Sequence, residues 1–379
     1  MIVDLPSTTT ADVSKKLVRL RSDTGSMALT RVLTLVVVVD ESGADEAIEV
    51  ANDASRQHPC RIIVVVTANR RGAARLDAQI RIGGDAGASE VVVLRLFGPL
   101  AAHGRAVVTP LLLADAPIVA WWPGEPPKNP HEDPIGAIAQ RRVTDVSHAK
   151  GTPRAVLGKL AAAYSPGDTD LSWSRITLWR ALLTAALDQA PFEPVTEVVV
   201  TGASDSPSAQ LLAGWLAKRL RCPVTLVPSR KGSGIISVRL ERPSGPLDLV
   251  RPQDGTSAVL TQAGRPDRSI ALPPRSDAEC LADELRRLDP DEVYQDALGA
   301  LDKISHSRRT STEAQRAGIA PSVAESREDA ARLKREAKVG AASAMVEAPM
   351  PEKVDDPTQV KKAARRKLAR KIEKREEVS

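Results

Sequence analysis

The polar residues that could do chemistry gather in the middle of the chain. Asp145, Asp168 and Asp170 supply carboxylates, Arg141, Arg142, Arg175 and Arg180 supply guanidiniums, and Gln140 adjoins the first arginine pair. Carboxylates can act as general acids and bases when a nucleophile or histidine stands within reach. Here no histidine is spaced to complete a triad with Asp168 or Asp170, and no serine lies in a G-x-S-x-G elbow. His131, beside Glu132 and Asp133, reads as a solvated loop residue. The three cysteines, Cys60, Cys222 and Cys280, form no CxxC pair, and no Cys/His spacing suits zinc. The sequence therefore predicts no metal, no cofactor and no catalytic residue, and the thiols read as reduced. Two glycine-bearing turns invite a phosphate. Gly202 follows one apolar run and precedes another in VVVTGASDSPSAQLLAGWL, without the G-x-G-x-x-G fingerprint. RKGSGI, residues 230–235, lacks both the Walker spacing and a following helix. Both read as plain turns. A sugar-phosphate or nucleotide site around Gly202 and Ser204 stays as the alternative.

The charged residues need a frame, and residues 164–187, YSPGDTDLSWSRITLWRALLTAAL, are its centre. Pro166 and Gly167 make a turn, and Asp168, Thr169 or Asp170 can cap a following helix. At 100° per residue Ile176, Trp179, Leu183 and Leu187 form one stripe with Trp173 at its margin, and Arg175 and Arg180 flank it. The opposite face is small and carries one charge, so the helix is predicted to be buried on most sides. Two buried arginines require partners, and Asp168 and Asp170 are the nearest candidates. Upstream, Trp121 and Trp122 end an apolar run before Pro123. Neighbouring strand residues point to opposite faces. Either one tryptophan packs under the helix while the other faces a groove or partner, or both faces are core. By the same alternation at most one of Arg141 and Arg142 is expected to point inward.

Around this centre the chain alternates strand and helix. Continuous β-branched runs over 31–40 and 61–67, separated by a helix over 43–57, predict a βαβ unit in a parallel sheet. Further strands are expected over 74–82, 89–96, 117–122 and 141–147, and helices over 12–21, 103–112, 135–140 and 154–163. A second alternation covers 197–228, followed by short strands over 234–241, 247–251, 257–262 and 268–272 that suggest an antiparallel meander. Helices over 276–287 and 291–304 close the pattern. The fold class is α/β: an N-terminal domain over 1–150 with a largely parallel sheet, and a second over 151–304 with a mixed sheet.

Residues 305–379 form the expected charged tail, with helical propensity over 324–344 and 358–377 but little apolar face. Residues 304–379 hold 18 Lys and Arg against 12 Asp and Glu, so the net charge of +5 belongs to the tail and the first 303 residues carry −1. The tail has no aromatic residue, which argues against specific nucleic-acid recognition and leaves weak polyanion binding. No run approaches a membrane span. With no signal-type apolar core at the start, a cytoplasmic protein is expected.

Three stretches in order resemble the OpcA family of glucose-6-phosphate dehydrogenase assembly proteins. They are AWWPGEPP at 120–127, DPIGAIAQRRVTD at 133–145, and GDTDL followed by W-x-R and W-R at 167–180. The resemblance implies a non-enzymatic partner of glucose-6-phosphate dehydrogenase, the entry enzyme of the oxidative pentose phosphate pathway, that favours its active oligomer. It directs attention to Trp121, Trp122, Pro123, Gln140, Arg141, Arg142, Asp145, Asp168, Asp170, Trp173, Arg175, Trp179 and Arg180 as partner-binding or motif residues. The family's redox behaviour depends on cysteines, and none of the three here matches a family motif.

Overall fold

The β-branched runs become the centre of the first sheet. In the computed structural model, which describes residues 1–23, 32–82, 90–252 and 255–321, this sheet is built from eight strands. They are β1 (Ile2–Leu5), β2 (Thr34–Asp40), β3 (Arg61–Thr67), β4 (Arg75–Ile82), β5 (Glu90–Phe97), β6 (Ile118–Trp122), β7 (Arg141–Thr144) and β8 (Asp168–Asp170). Their spatial order is β1-β4-β5-β3-β2-β6-β7-β8. The run from β5 to β8 is parallel throughout, with β4 antiparallel to β5 and β1 antiparallel to β4. Parallel strands need both faces covered. One face carries α1 (Thr10–Asp23) and α3 (Gly104–Val108), and the other carries α2 (Ala44–Ser55).

The second sheet holds β9 (Glu197–Ala203), β10 (Val224–Ser229), β11 (Ile235–Glu241), β12 (Leu247–Val250), β13 (Ser257–Gln262), β14 (Arg268–Ala271) and β15 (Ile304–His306), in the order β14-β13-β12-β11-β9-β10-β15. β9, β10 and β15 run parallel, and β11 to β14 form the antiparallel meander foreseen from the turn spacing. Its larger core packs α4 (Pro153–Ala162), α6 (Thr177–Leu187), α7 (Pro207–Leu220) and α9 (Glu292–Leu298) onto the sheet.

Several elements differ from expectation. The candidate cap residues form a strand before the expected helix: Asp168, Thr169 and Asp170 are β8 and pair with Arg142, Val143 and Thr144. Only then does α5 (Leu171–Arg175) begin, capped by Asp170, whose carboxylate accepts from Ser172 N at 2.9 Å. Ile176 (φ −95°, ψ 7°) breaks the helix before α6. α5 is buried, whereas α6 leaves Ala181, Thr184 and Ala185 exposed, so the pair is not apolar all round. The helix expected over 135–140 is one 3-10 turn, because Gln140 N already donates to Ile118 O at 2.9 Å and joins the sheet. β1 escaped the sequence reading, being a four-residue edge strand at the chain start.

The boundary expected near residue 150 falls between β7 and β8 of one sheet. α8 (Asp277–Arg286) also returns to the first sheet, burying Cys280, Leu281, Ala282 and Leu285 beside Trp121 and Leu171. The helix expected over 291–304 stops at Leu298, and Ile304–His306 becomes β15. The described chain continues past 304 into α10 (Ser311–Arg316), which sets Ala314, followed by Ala320, on Val199 and Val227. The helices expected over 324–344 and 358–377 lie outside the described residues.

Candidate functional site

The three motif stretches meet at the C-terminal ends of β6, β7 and β8. Trp121 and Trp122 point to opposite faces of β6 and both are buried, so the reading with core on both sides holds. Arg141 and Arg142 are likewise both buried, each with an acid, which corrects the expectation that one would face out. Arg141 forms an ion pair with Glu284 of α8 and donates to Asp289 O at 2.7 Å, while Glu284 also accepts from Ser174 Oγ. Arg142 pairs with Asp168 and donates to Ala139 O at 2.8 Å. A neighbouring strand and a returning helix thus neutralise the two faces of β7. Sequence separation hid the second, because Glu284 lies 143 residues from Arg141.

Asp168 and Asp170 are not the partners of the helix arginines. Arg175 grips Asp145 with two nitrogens, at 2.9 and 2.6 Å, and reaches Asp277 of α8 at 2.7 Å. This forked geometry is the strong form of the arginine–carboxylate contact. Burial pushes the Asp145 carboxyl up, but Arg175 and His148 together hold it well below the usual range. Asp145 in turn raises His148 from 6.5 to about 9, and the His148 Nδ1 lies 3.4 Å from Asp145 Oδ2 and 3.2 Å from Pro123 O. Ligand atoms of Asp145, His148 and Asp277 fall within 4.8 Å of one another, as a metal site would require. The cations of this cluster are Arg175 and protonated His148, and a metal ion would have to displace them.

Asp170 is fully buried without an arginine. Its carboxylate accepts from Thr144 Oγ1 at 2.7 Å, Val146 N at 3.0 Å and Ser172 N. Burial, and then the charge of Asp145, push its carboxyl up to about 6. Arg180 has no carboxylate within ion-pair distance among the described residues. It lies over the Trp173 ring at 3.7 Å, a cation–π contact, and burial pulls its guanidinium down to about 10. Trp173 Nε1 donates to Asp291 at 2.8 Å, and its ring meets Tyr294 at 5.9 Å, which ties α5 to α9. Trp179 is buried in the second core. Pro123 is half-buried, and exposed Gln140 accepts from Ile118 N at 2.6 Å.

The chain also reverses its direction of spread here. From β2 it moves to β3 on one side, and β6 to β8 fill the other. Such a switch point opens a crevice beyond the carboxyl ends of the strands. A cleft of about 690 Å³ lies at this place, lined from the ends of β2, β3 and β6, from α2, and from the segment that follows β7. Sequence reasoning identified Trp121, Trp122 and Pro123 but missed the opposite wall, Asp40, Ser42, Glu46 and Thr67. The signal lay in the polar ends of the two β-branched runs.

The two glycine turns also meet. Gly232 N donates to Asp205 at 3.0 Å, and Ala203 N to Gly234 O at 2.7 Å, beside a second cleft of about 270 Å³. A Cβ at Gly202 would stand 2.6 Å from Ala209 Cβ, so this glycine lets α7 close onto β9.

A largely parallel sheet sealed on both faces, with its motif carboxylates taken up by arginines, helix caps and backbone donors, defines an α/β scaffold with a cleft at its switch point. Two family models match the chain. The glucose-6-phosphate dehydrogenase subunit N-terminal domain covers residues 51–162, and the corresponding C-terminal domain covers 166–298. The chain belongs to the OpcA family of glucose-6-phosphate dehydrogenase assembly proteins. A search of curated proteins finds no match. A solved structure described as trehalose-6-phosphate from E. coli bound with UDP-2-fluoro glucose is similar at 10% identity, with 53% of this chain and 65% of that chain covered and a TM-score of 0.22. That likeness is too slight to bear on fold or function.

Proposed function

We infer that this protein is a non-catalytic accessory subunit that binds glucose-6-phosphate dehydrogenase in the cytoplasm and favours its active oligomer in the oxidative pentose phosphate pathway. The observation that carries this reading is the match to both subunit domains across residues 51–162 and 166–298. The chemistry of the motif region agrees. Asp145 and Asp168 serve ion pairs, and Asp170 caps a helix and accepts from β7. An activator of this kind must bind the active state of its partner more tightly than the inactive one.

Contact with the dehydrogenase falls to the exposed chain that the buried motif residues hold in place: the loop after β6, with Glu125, Lys128, His131 and Glu132 exposed, and Gln140 beside it. Trp121, Trp122, Arg141, Arg142, Asp145, Asp168, Asp170, Trp173 and Trp179 are its support, and Arg175 and Arg180 bind that support together. The experiment is dehydrogenase activity against glucose 6-phosphate and NADP with the cognate enzyme alone, this chain alone and the mixture. Activation in the mixture only is expected, with Glu125→Lys plus Glu132→Lys reducing it in a folded protein. Turnover by this chain alone would overturn the non-catalytic reading, and no activation or co-elution in the mixture would overturn the partnership.

A further inference from the structure

The switch-point cleft has an imbalance between the donors and acceptors on its walls. The cleft acids are largely engaged. Asp40 accepts from Ser42 Oγ at 2.7 Å and Gly43 N at 3.1 Å, Glu125 accepts from Lys150 N at 2.8 Å, and Asp277 holds Arg175. Of the three cleft cations, His148 is held by Asp145 and the other two have no ion pair among the described residues. Arg70 and Lys150 are exposed at the cleft, and neither has a carboxylate within ion-pair distance among the described residues. His148 turns Nδ1 toward Pro123 O and Asp145, which keeps Nε2–H as a further donor in the imidazolium. Glu46 is the cleft carboxylate with no donor among the described residues.

The size suits a small metabolite, since ligand clefts run at about 300–1,000 Å³. Half-buried Val50 supplies apolar surface. We propose that the cleft binds a phosphorylated small metabolite, a nucleotide or a sugar phosphate. Its phosphate meets Lys150, Arg70 and His148, its body lies along Val50, and a hydroxyl reaches Glu46. The cleft opens beside the loop assigned above to the dehydrogenase, so an occupant would stiffen the surface that the partner meets. The binding claim itself does not need the partner.

The test is isothermal titration and tryptophan fluorescence on the full chain alone, with ADP, glucose 6-phosphate and inorganic phosphate as probes. ADP and glucose 6-phosphate distinguish the two sources of the phosphate ester. One of the two should bind more tightly than inorganic phosphate and alter the fluorescence. Lys150→Ala with Arg70→Ala, both at exposed positions, should weaken that probe about tenfold or more through the lost charged hydrogen bonds. The proposal is overturned if no probe binds at millimolar concentration, or if inorganic phosphate binds as tightly as either ester. It is equally overturned if the Lys150/Arg70 variant binds unchanged or if Arg251→Ala, in the second cleft, removes the binding instead. Because these titrations omit the dehydrogenase, they are independent of the activation assay.

Discussion

Arg175 and Arg141 act as cross-links at the scale of single residues. Each joins chain segments that are more than a hundred residues apart, Arg175 to Asp277 and Arg141 to Glu284. A buried pair is weak support for stability when compared with an apolar substitute, but half of one is strongly destabilising. Glu284→Ala should therefore cost about 3–5 kcal/mol in denaturant unfolding, and replacing Arg141 and Glu284 together with methionine should recover most of the loss. His148 gives a pH signature. Its folded-state value is raised from 6.5 to about 9 by Asp145, so its contribution is fully present below about pH 6.5 and is lost as pH rises through about 9. His148→Ala should lower the melting temperature at mildly acidic pH, and the difference from the unaltered protein should vanish above the raised value. Asp170 has the same sign in a lower window. Burial raises its carboxyl from 3.8 to about 6, so its ionisation removes stability as pH rises through about 6.

Between elements, close approach matters more than propensity. Gly214 sits inside α7, where alanine ordinarily gains about 1 kcal/mol. A Cβ there would lie 2.4 Å from Ala297 O of α9, a backbone atom that cannot rotate away. Gly214→Ala should therefore destabilise by about 1–3 kcal/mol through overpacking. Gly158 of α4 is the control, because a Cβ there meets nothing within 4 Å. Gly158→Ala should stabilise by about 0.5–1 kcal/mol, both changes being read from thermal melts. β8 makes the same point about propensity. Asp-Thr-Asp is a poor strand sequence, and it becomes one because its carboxylates satisfy Arg142, Thr144 and backbone donors just after β7 and at the start of α5.

For the whole molecule, the chain crosses between its two sheets several times. α4 packs into the second core, β8 returns to the first sheet, and α8 returns again from beyond the meander. The last described elements complete the second sheet, with β15 paired to β10 and α10 covering Val199 and Val227. A chain ending after Pro321 should keep its melting temperature and its effect on the dehydrogenase. One ending after Lys303 should melt lower, because it exposes the edge of β10 and part of a core face.

The α/β class, the central strands and the meander were legible in the sequence because they rest on local periodicity. β2, β3 and β6 are continuous apolar runs, while α7 and the strands from β11 to β14 carry apolar residues at helical or alternating spacing with turns between them, and both signals are carried by neighbours along the chain. The motif residues were legible too, from their types and order. Their partners were not. Nothing local marks Asp145 and Asp277 as the acids of Arg175, Glu284 as that of Arg141, or the wall opposite Trp121 as the β2 terminus. Those pairings arise where strand order reverses and where α8 folds back. Long-range charge neutralisation and the switch-point cleft are properties of topology, and only the tertiary structure could decide them.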